Sequence, residues 1–308
     1  MKIAAAMALI MSIIAIVTNW RPISFNIMNL ISEPYDKAFY DQNFDVENGL
    51  IYRIDDDGAR YAVLRHFGDG FEDATTIGDL VGIDRGWTQL TLLSPEAPTV
   101  AESNDLANRI LLGESDYLDN RIEPSTEQAH AGQGSLKALA VPPDSGMCCA
   151  KASLHSLLLH FVKGDNIWFS AWYYIDEAGE FITLMDLEST FVRGWPGMRI
   201  RLQNGYLDFE LAKWEPNTVY RQPEGQRIPF PRKCWVLIEA RLLLSENDDG
   251  IVQLWQDDRL VIDRRGQTLP FAEAVYDSLE IGLTVRTTGP EPAILYVDDL
   301  MISAEQMD

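Results

Sequence analysis

The sequence predicts an all-β fold of two packed antiparallel sheets, and three observations carry that prediction. Its second half is a succession of short apolar runs, such as Ile167 to Ile175 and Trp235 to Leu244, separated by Gly, Pro and Asp clusters. The pair Asn204-Gly205, flanked by MRIRLQ and YLDFEL, is the strongest short-range hairpin signal in the chain. A helical stripe is present only in TVAESNDLANRILL, Thr99 to Leu112, where Val100, Leu106, Ile110 and Leu111 approximate one face. Many short strands and few helices argue for a sandwich.

The elements follow in order. MKIAAAMALIMSIIAIVTNW holds one lysine and an apolar run from Ile3 to Val17, the length of a signal-peptide core and short for a membrane span. Residues 1–20 therefore read as an export signal or uncleaved anchor, a hydrophobic helix that is the chain's one link to a membrane. No cysteine follows the run, which excludes a lipid anchor there. Residues 21–66 read as an N-terminal extension with strand-like pieces such as Gly49 to Ile54, and residues 67–308 as the sandwich. In the segment SENDDGIVQLWQDDRLVID, Asp249-Gly250 and Asp257-Asp258 make turns around the strand IVQLWQ. Alternation there sends Ile251, Gln253 and Trp255 to one face and Val252, Leu254 and Gln256 to the other.

Composition narrows the function. With 308 residues and 46% hydrophobic content the chain can bury a sizeable core. A formal charge of −22 repels phosphates, so nucleic acid is excluded as a partner. Three cysteines, two of them adjacent at Cys148 and Cys149, make no disulfide framework; Cys234 could bridge to one of the pair, or all three stay free. The four histidines have no metal-ligand spacing, and His155 and His160, five apart, do not share a strand face.

The run WVLIEARLLLSENDDGIVQLWQDDRLVID resembles the meander of concanavalin A-like lectin/glucanase jelly rolls, and is similar to polysaccharide lyases of the heparin- and alginate-lyase kind. EQAHAGQGSLKALAV, Glu127 to Val141, resembles a strand entry of such folds. GFED, Gly70 to Asp73, and YVDD, Tyr296 to Asp299, resemble the first and last strands, which lie side by side in them. The resemblance implies a two-sheet antiparallel jelly roll over about Phe67 to Ser303, and says little of function because one fold hosts many activities. It also implies a structural calcium between first and last strands, with Glu72 or Asp73 and Asp298 or Asp299 as oxygen ligands.

The Asn204-Gly205 hairpin is the best place for chemistry. A two-residue loop sets Gln203 opposite Tyr206, Arg201 opposite Asp208 and Arg199 opposite Glu210, with Ile200, Leu202, Leu207 and Phe209 on the core side. Arg199, Arg201, Tyr206, Asp208 and Glu210, with Asp186 and Glu188 of LMDLE, are the expected carbohydrate contacts. The alternative is cross-strand ion pairing on a solvated face. From Arg193 to Arg241 nine basic residues face five acids, and Trp195, Tyr206, Trp214 and Tyr220 are interspersed, which suits an anionic polysaccharide.

Two enzyme classes can be tested against the residues. The resemblance implies a Glu-x-Asp-x-Glu strand for retaining glucanases; here Leu184 stands where the nucleophile belongs, ahead of Asp186 and Glu188, which argues against a hydrolase. A lyase needs a base, a group neutralising the uronate carboxylate and a proton donor to the leaving oxygen. His155 or His160, Arg199 or Arg201, and Tyr206 or Tyr220 are the candidates, yet the Gln-x-His and arginine-acid-arginine signatures are absent, and Lys151-Ala152-Ser153 stands near where Arg-x-Glu is expected. Three readings stay open: an exported protein that binds an extracellular or cell-envelope polysaccharide, a polysaccharide lyase acting by β-elimination, and an adhesion module whose Arg199/Glu210 face is covered by another protein.

Overall fold

A computed structural model describes residues 40–304 except 42, 55–57, 193, 214–216 and 288. The hydrophobic segment 1–20 and half of the extension lie outside the described residues. In chain order the strands are β1 (Phe44–Glu47), β2 (Leu50–Ile54), β3 (Arg60–Ala62), β4 (His66–Asp69), β5 (Gln89–Thr91), β6 (Arg121–Ser125), β7 (Ser135–Ala140), β8 (Ala150–Ser156) and β9 (Asn166–Glu177). They continue as β10 (Phe181–Glu188), β11 (Gly197–Gln203), β12 (Tyr206–Ala212), β13 (Thr218–Arg221), β14 (Trp235–Leu243), β15 (Ile251–Gln256), β16 (Arg259–Arg265), β17 (Ser278–Arg286) and β18 (Ala293–Ser303). Two helices, α1 (Ile77–Leu80) and α2 (Val100–Leu111), join early strands.

Two antiparallel sheets face each other. The front sheet runs β13-β12-β11-β10-β17-β8-β5 and the back sheet β16-β15-β14-β9-β18-β7-β6, with β4 also paired to β18. Strict period-2 alternation builds them: in β9 Ile167, Phe169, Ala171, Tyr173 and Ile175 are buried while the residues between them are partly exposed. Met198, Ile200, Leu202, Leu207 and Phe209 enter the same core from the front sheet. Each fully buried side chain of this size contributes about 1.5–3 kcal/mol.

The hairpin register is as expected: Arg199 faces Glu210, Arg201 faces Asp208 and Gln203 faces Tyr206. Asn204 and Gly205 both have positive φ, 51° and 80°, as a two-residue turn of this hand requires. The β15–β16 turn places Asp257 at φ 51°, and Val252 and Leu254 point inward while Gln253 and Trp255 lie on the outer side. Ile251, expected beside Gln253 and Trp255, is nonetheless buried. Strand β4 lies beside β18, Asp69 opposite Leu300, but GFED, expected to be that first strand, falls in the turn just after β4.

Helix α2 matches its sequence signal. Thr99 caps it, accepting from the Glu102 N–H, and Glu102 reaches back to the Thr99 N–H at 3.0 Å, a reciprocal capping box. Its buried face is Ser103, Leu106 and Ala107, so Val100, assigned to the stripe, is instead solvent-facing. No helix among the described residues is long and apolar enough to cross a membrane. The three cysteines are free, with the Cys148 and Cys149 sulfurs 3.4 Å apart and burial pushing the Cys149 thiol up to about 12.

β1, β2 and β3 form a separate small sheet. It is tied to the sandwich by Arg53, whose guanidinium meets the buried Asp277 at 3.0 Å, and by Phe44, packed against His160 and Phe191.

Candidate functional site

The outer face of the front sheet carries one row of charge across five strands. Register places His155 (β8) opposite Glu280 (β17), Glu280 opposite Asp186 (β10), Asp186 opposite Arg199 (β11), and Arg199 opposite Glu210 (β12). Each of these is an odd-beat residue of an alternating strand, so the core residues between them force the charged ones outward. The face is sheltered rather than solvated: Asp186 is 0% exposed, Glu280 2%, Glu210 7% and His155 7%.

Every acid in the row is paired. Arg199 donates through Nε to Asp186, lies 3.4 Å from Glu188 through Nη2, and lies 3.8 Å from Glu210 through Nη1. Arg201 makes a two-pronged contact with Asp208, 2.7 and 3.0 Å, and a third to Glu210 at 2.7 Å. Lys151 Nζ sits 2.9 and 3.0 Å from the two Glu280 oxygens, Ser153 donates to the same carboxylate, and Lys213 meets Glu188 at 2.5 Å. Asn217 donates to Glu210 at 2.9 Å and Thr284 to Asp186 at 3.2 Å. His155 Nε2 lies 2.9 Å from the Thr91 hydroxyl and 3.3 Å from Glu280.

Burial and charge oppose each other along the row. Burial alone would raise Glu280, but Lys151, then His155 and Ser153, hold its carboxyl well below the usual range. At Asp186 burial wins and pushes the carboxyl up to about 6, with Arg199 opposing. Burial lowers Lys151 and Arg199, yet Glu280 at the first and Asp186 at the second leave both firmly cationic. Lys151, Arg199, Arg201 and Lys213 face Asp186, Glu188, Asp208, Glu210 and Glu280, so the row is close to self-neutral. The excess of basic residues read from the sequence between Arg193 and Arg241 does not become a positive patch here, because cross-strand acids from β10 and β17 offset it.

The expected sugar contacts therefore come together in part. Arg199, Arg201, Asp208, Glu210, Asp186 and Glu188 share this face, while Tyr206 lies at the hairpin end, its ring 5.8 Å from the Arg227 guanidinium. The expectation of a solvated ladder is corrected: Arg201, Asp208 and Glu210 are all buried. Glu280, Lys213 and Asn217 were not foreseen, and Lys151 and Ser153 were marked only as standing near the place of an Arg-x-Glu. Their signal is the polar beat in AKASLHS and the lone Glu in SLEIGL, but nothing in the sequence says that these strands meet.

The acid-base candidates separate. His155 joins the row. His160 lies elsewhere, with Nε2 2.9 Å from the Tyr40 hydroxyl and Nδ1 buried without a partner. Burial, helped by Arg65, pushes its imidazole down to about 4. Tyr220 stands opposite Phe209, packed against the core and on the far side of the sheet from the charges. Leu184 is fully buried at a bulge in β10, so a carboxylate is missing where a retaining glucanase needs its nucleophile. Trp195 is 46% exposed in the loop before β11, and Trp214 lies outside the described residues.

The four acids expected to hold calcium do not fit a cage. Glu72 accepts the Gln133 and Gly134 N–H groups at 2.9 and 3.2 Å, and a Cβ at Gly132 would fall 2.1 Å from the Glu72 carboxylate. Asp298 accepts from His130, Ala131 and Asp299 N–H at 2.7, 3.2 and 2.7 Å, and Asp299 meets the His130 ring at 2.8 Å. Asp73 is exposed. Among the described residues no three His, Cys, Asp or Glu side chains converge to hold a metal. The acids instead clasp the loop before β7 to the end of β18.

No protein-family model matches the chain, and no curated protein matches its sequence. Solved structures do. An endo-β-1,4-glucuronan lyase from the fungus Trichoderma reesei superposes with a TM-score of 0.51 at 11% identity, over 61% of this chain and 89% of that one. A cellulose-induced protein, Cip1, superposes at 0.52 and 14% identity, over 78% of this chain and 98% of that one. At such identities the likeness speaks for the fold. The chain has the two-sheet jelly-roll sandwich fold, similar to that of the glucuronan lyase and Cip1.

Proposed function

We propose that this protein binds a polysaccharide, rich in uronate units, along the outer face of the front sheet, and that it does so outside the cytoplasm. The observation that carries the reading is the buried charge row from His155 to Glu210. Buried ion pairs add little net stability over apolar residues of the same shape, so a face needed only for folding has no use for seven of them. Held in place by each other, they form a rigid set of donors and acceptors whose accessible edges, at Arg199, Lys151 and Lys213, meet hydroxyls and carboxylates without reorganising. The fold shared with a glucuronan lyase supports the same ligand class. The apolar run Ile3 to Val17 supports export.

Lyase activity is the second reading. Its support is that an imidazole, His155, shares the row with Lys151 and Arg199, which suit a base and a carboxylate-neutralising cation. Against it, neither candidate tyrosine stands in the row, since Tyr206 is at the hairpin end and Tyr220 is on the core side.

Native electrophoresis of the full chain through gels containing polyglucuronate or alginate tests the binding reading. Retardation of the wild type, weakened by Lys213→Gln at the accessible edge, is expected; unchanged mobility on both polymers would overturn it. Ultraviolet absorbance of the same mixtures separates the two readings, because β-elimination creates an absorbing double bond and binding alone leaves the trace flat.

A further inference from the structure

The back sheet has an outer face of a different kind. Its outward positions include Trp168, Trp172 and Tyr174 on β9, Trp235 and Arg241 on β14, and Gln253 and Trp255 on β15. Part of this aromatic surface is already engaged: His130 stacks on Trp172 at 3.7 Å, and Trp235 meets Tyr174 edge-on. Trp168 and Trp255 are different. They lie near-parallel, 20° apart with ring centres 6.4 Å from each other, and beside Trp255 the side chain of Leu260 is 46% exposed.

Arg241 stands opposite Trp168 on one side and Gln253 on the other, while the β14 residue opposite Trp255 is Glu239, two positions away. Its guanidinium is 5.5 Å from the Trp168 ring centre, donates to Asn166 at 2.9 Å and reaches Gln253 at 3.4 Å. Among the described residues it has no carboxylate partner, in a chain whose formal charge is −22. The indole N–H of Trp168 is buried without a hydrogen bond, so a phenylalanine would fill the site at lower cost if packing were its only task.

We infer that Trp168, Trp255 and Arg241 form a second binding platform for an acidic polysaccharide, on the opposite side of the sandwich from the charge row. Partly exposed indole faces offer a flat apolar surface to the C–H face of a sugar ring. The guanidinium, free of any carboxylate, supplies the complementary charge for a uronate carboxylate, and the Asn166 and Gln253 amide oxygens hold it in place. Two sites on opposite faces let one molecule hold two chains, or hold one chain while the front face works on another, and the linkage raises apparent affinity without new contacts. The platform does not depend on the front-face reading.

The test is native electrophoresis of the full chain in polyglucuronate gels, with hydroxyethylcellulose gels as the neutral comparison. Trp168→Ala with Trp255→Ala should weaken retardation by about tenfold, equivalent to about 1.4 kcal/mol. Arg241→Gln should weaken it several-fold in polyglucuronate and leave mobility in the neutral gel unchanged. Trp168→Phe with Trp255→Phe, which keeps two flat rings, should retain most of the binding and guards against a folding artefact. Wild-type retardation in the alanine and Arg241→Gln variants would overturn the platform. So would a loss of retardation accompanied by conversion of a dimer to a monomer in light scattering, which would make the face a contact between copies. If Lys213→Gln alone weakens binding, the platform fails and the front face stands; if only the platform variants do, the reverse holds.

Discussion

The two outer faces of the sandwich are built from the same alternation and end in opposite states. On the front sheet the outward beats are His155, Glu280, Asp186, Arg199 and Glu210, nearly all of them shielded from solvent. On the back sheet they are Trp168, Arg241, Gln253 and Trp255, partly exposed. Where charges are buried, each must find a partner, and the front face becomes a closed network. Where aromatics are left at the surface, no such demand exists, and Arg241 remains without an acid. Period-2 patterning therefore says which residues point away from the core, but not whether that direction leads to water.

The comparison is broken most severely by opening the front network. Arg199→Ala leaves Asp186 uncompensated in a fully buried position and should cost about 3–5 kcal/mol, read from urea unfolding. A loss below about 1 kcal/mol would mean that the face is wetter than its burial indicates.

His160, buried away from the row, sharpens it next. His160 is buried with its imidazole pushed down to about 4, whereas an unfolded histidine titrates near 6.5, so the unfolded chain binds the extra proton between those values. Stability from this group is present above about pH 6.5 and is lost as pH falls toward 4, by up to about 3 kcal/mol. His160→Gln should flatten that acid slope in unfolding curves taken across the window, while an unchanged slope would place the titration elsewhere.

The back face should respond least to truncation. Trp255→Ala removes a partly exposed ring from an outer sheet face and should cost about 1 kcal/mol, well under the Arg199 variant. The smallest effect is that of a chelator. Because Glu72, Asp298 and Asp299 are occupied by N–H groups, EDTA should leave the thermal midpoint unchanged; a clear drop would restore calcium.

Much of the fold was legible because turns and alternation are local. Asn204-Gly205 set its own register, and Thr99 with Glu102 marked the start of α2. What joins one strand to a distant one was not. Glu280 is 94 residues from Asp186 in sequence yet is its cross-strand partner, and Lys151 and Ser153 reach the site only because β8 lies beside β17. Exposure was equally hidden, since a ladder of Arg and Glu reads the same whether solvated or sheltered. His160, grouped with His155 by sequence proximity, left the site because the chain turns between them after β8.

The most direct test of the central claim is a crystal structure of the protein soaked with a uronate oligosaccharide. The account predicts sugar density along the front-sheet face, with a carboxylate or hydroxyl within hydrogen-bond distance of Arg199, Lys151 or Lys213. An empty front face in a crystal that holds the sugar elsewhere would contradict it.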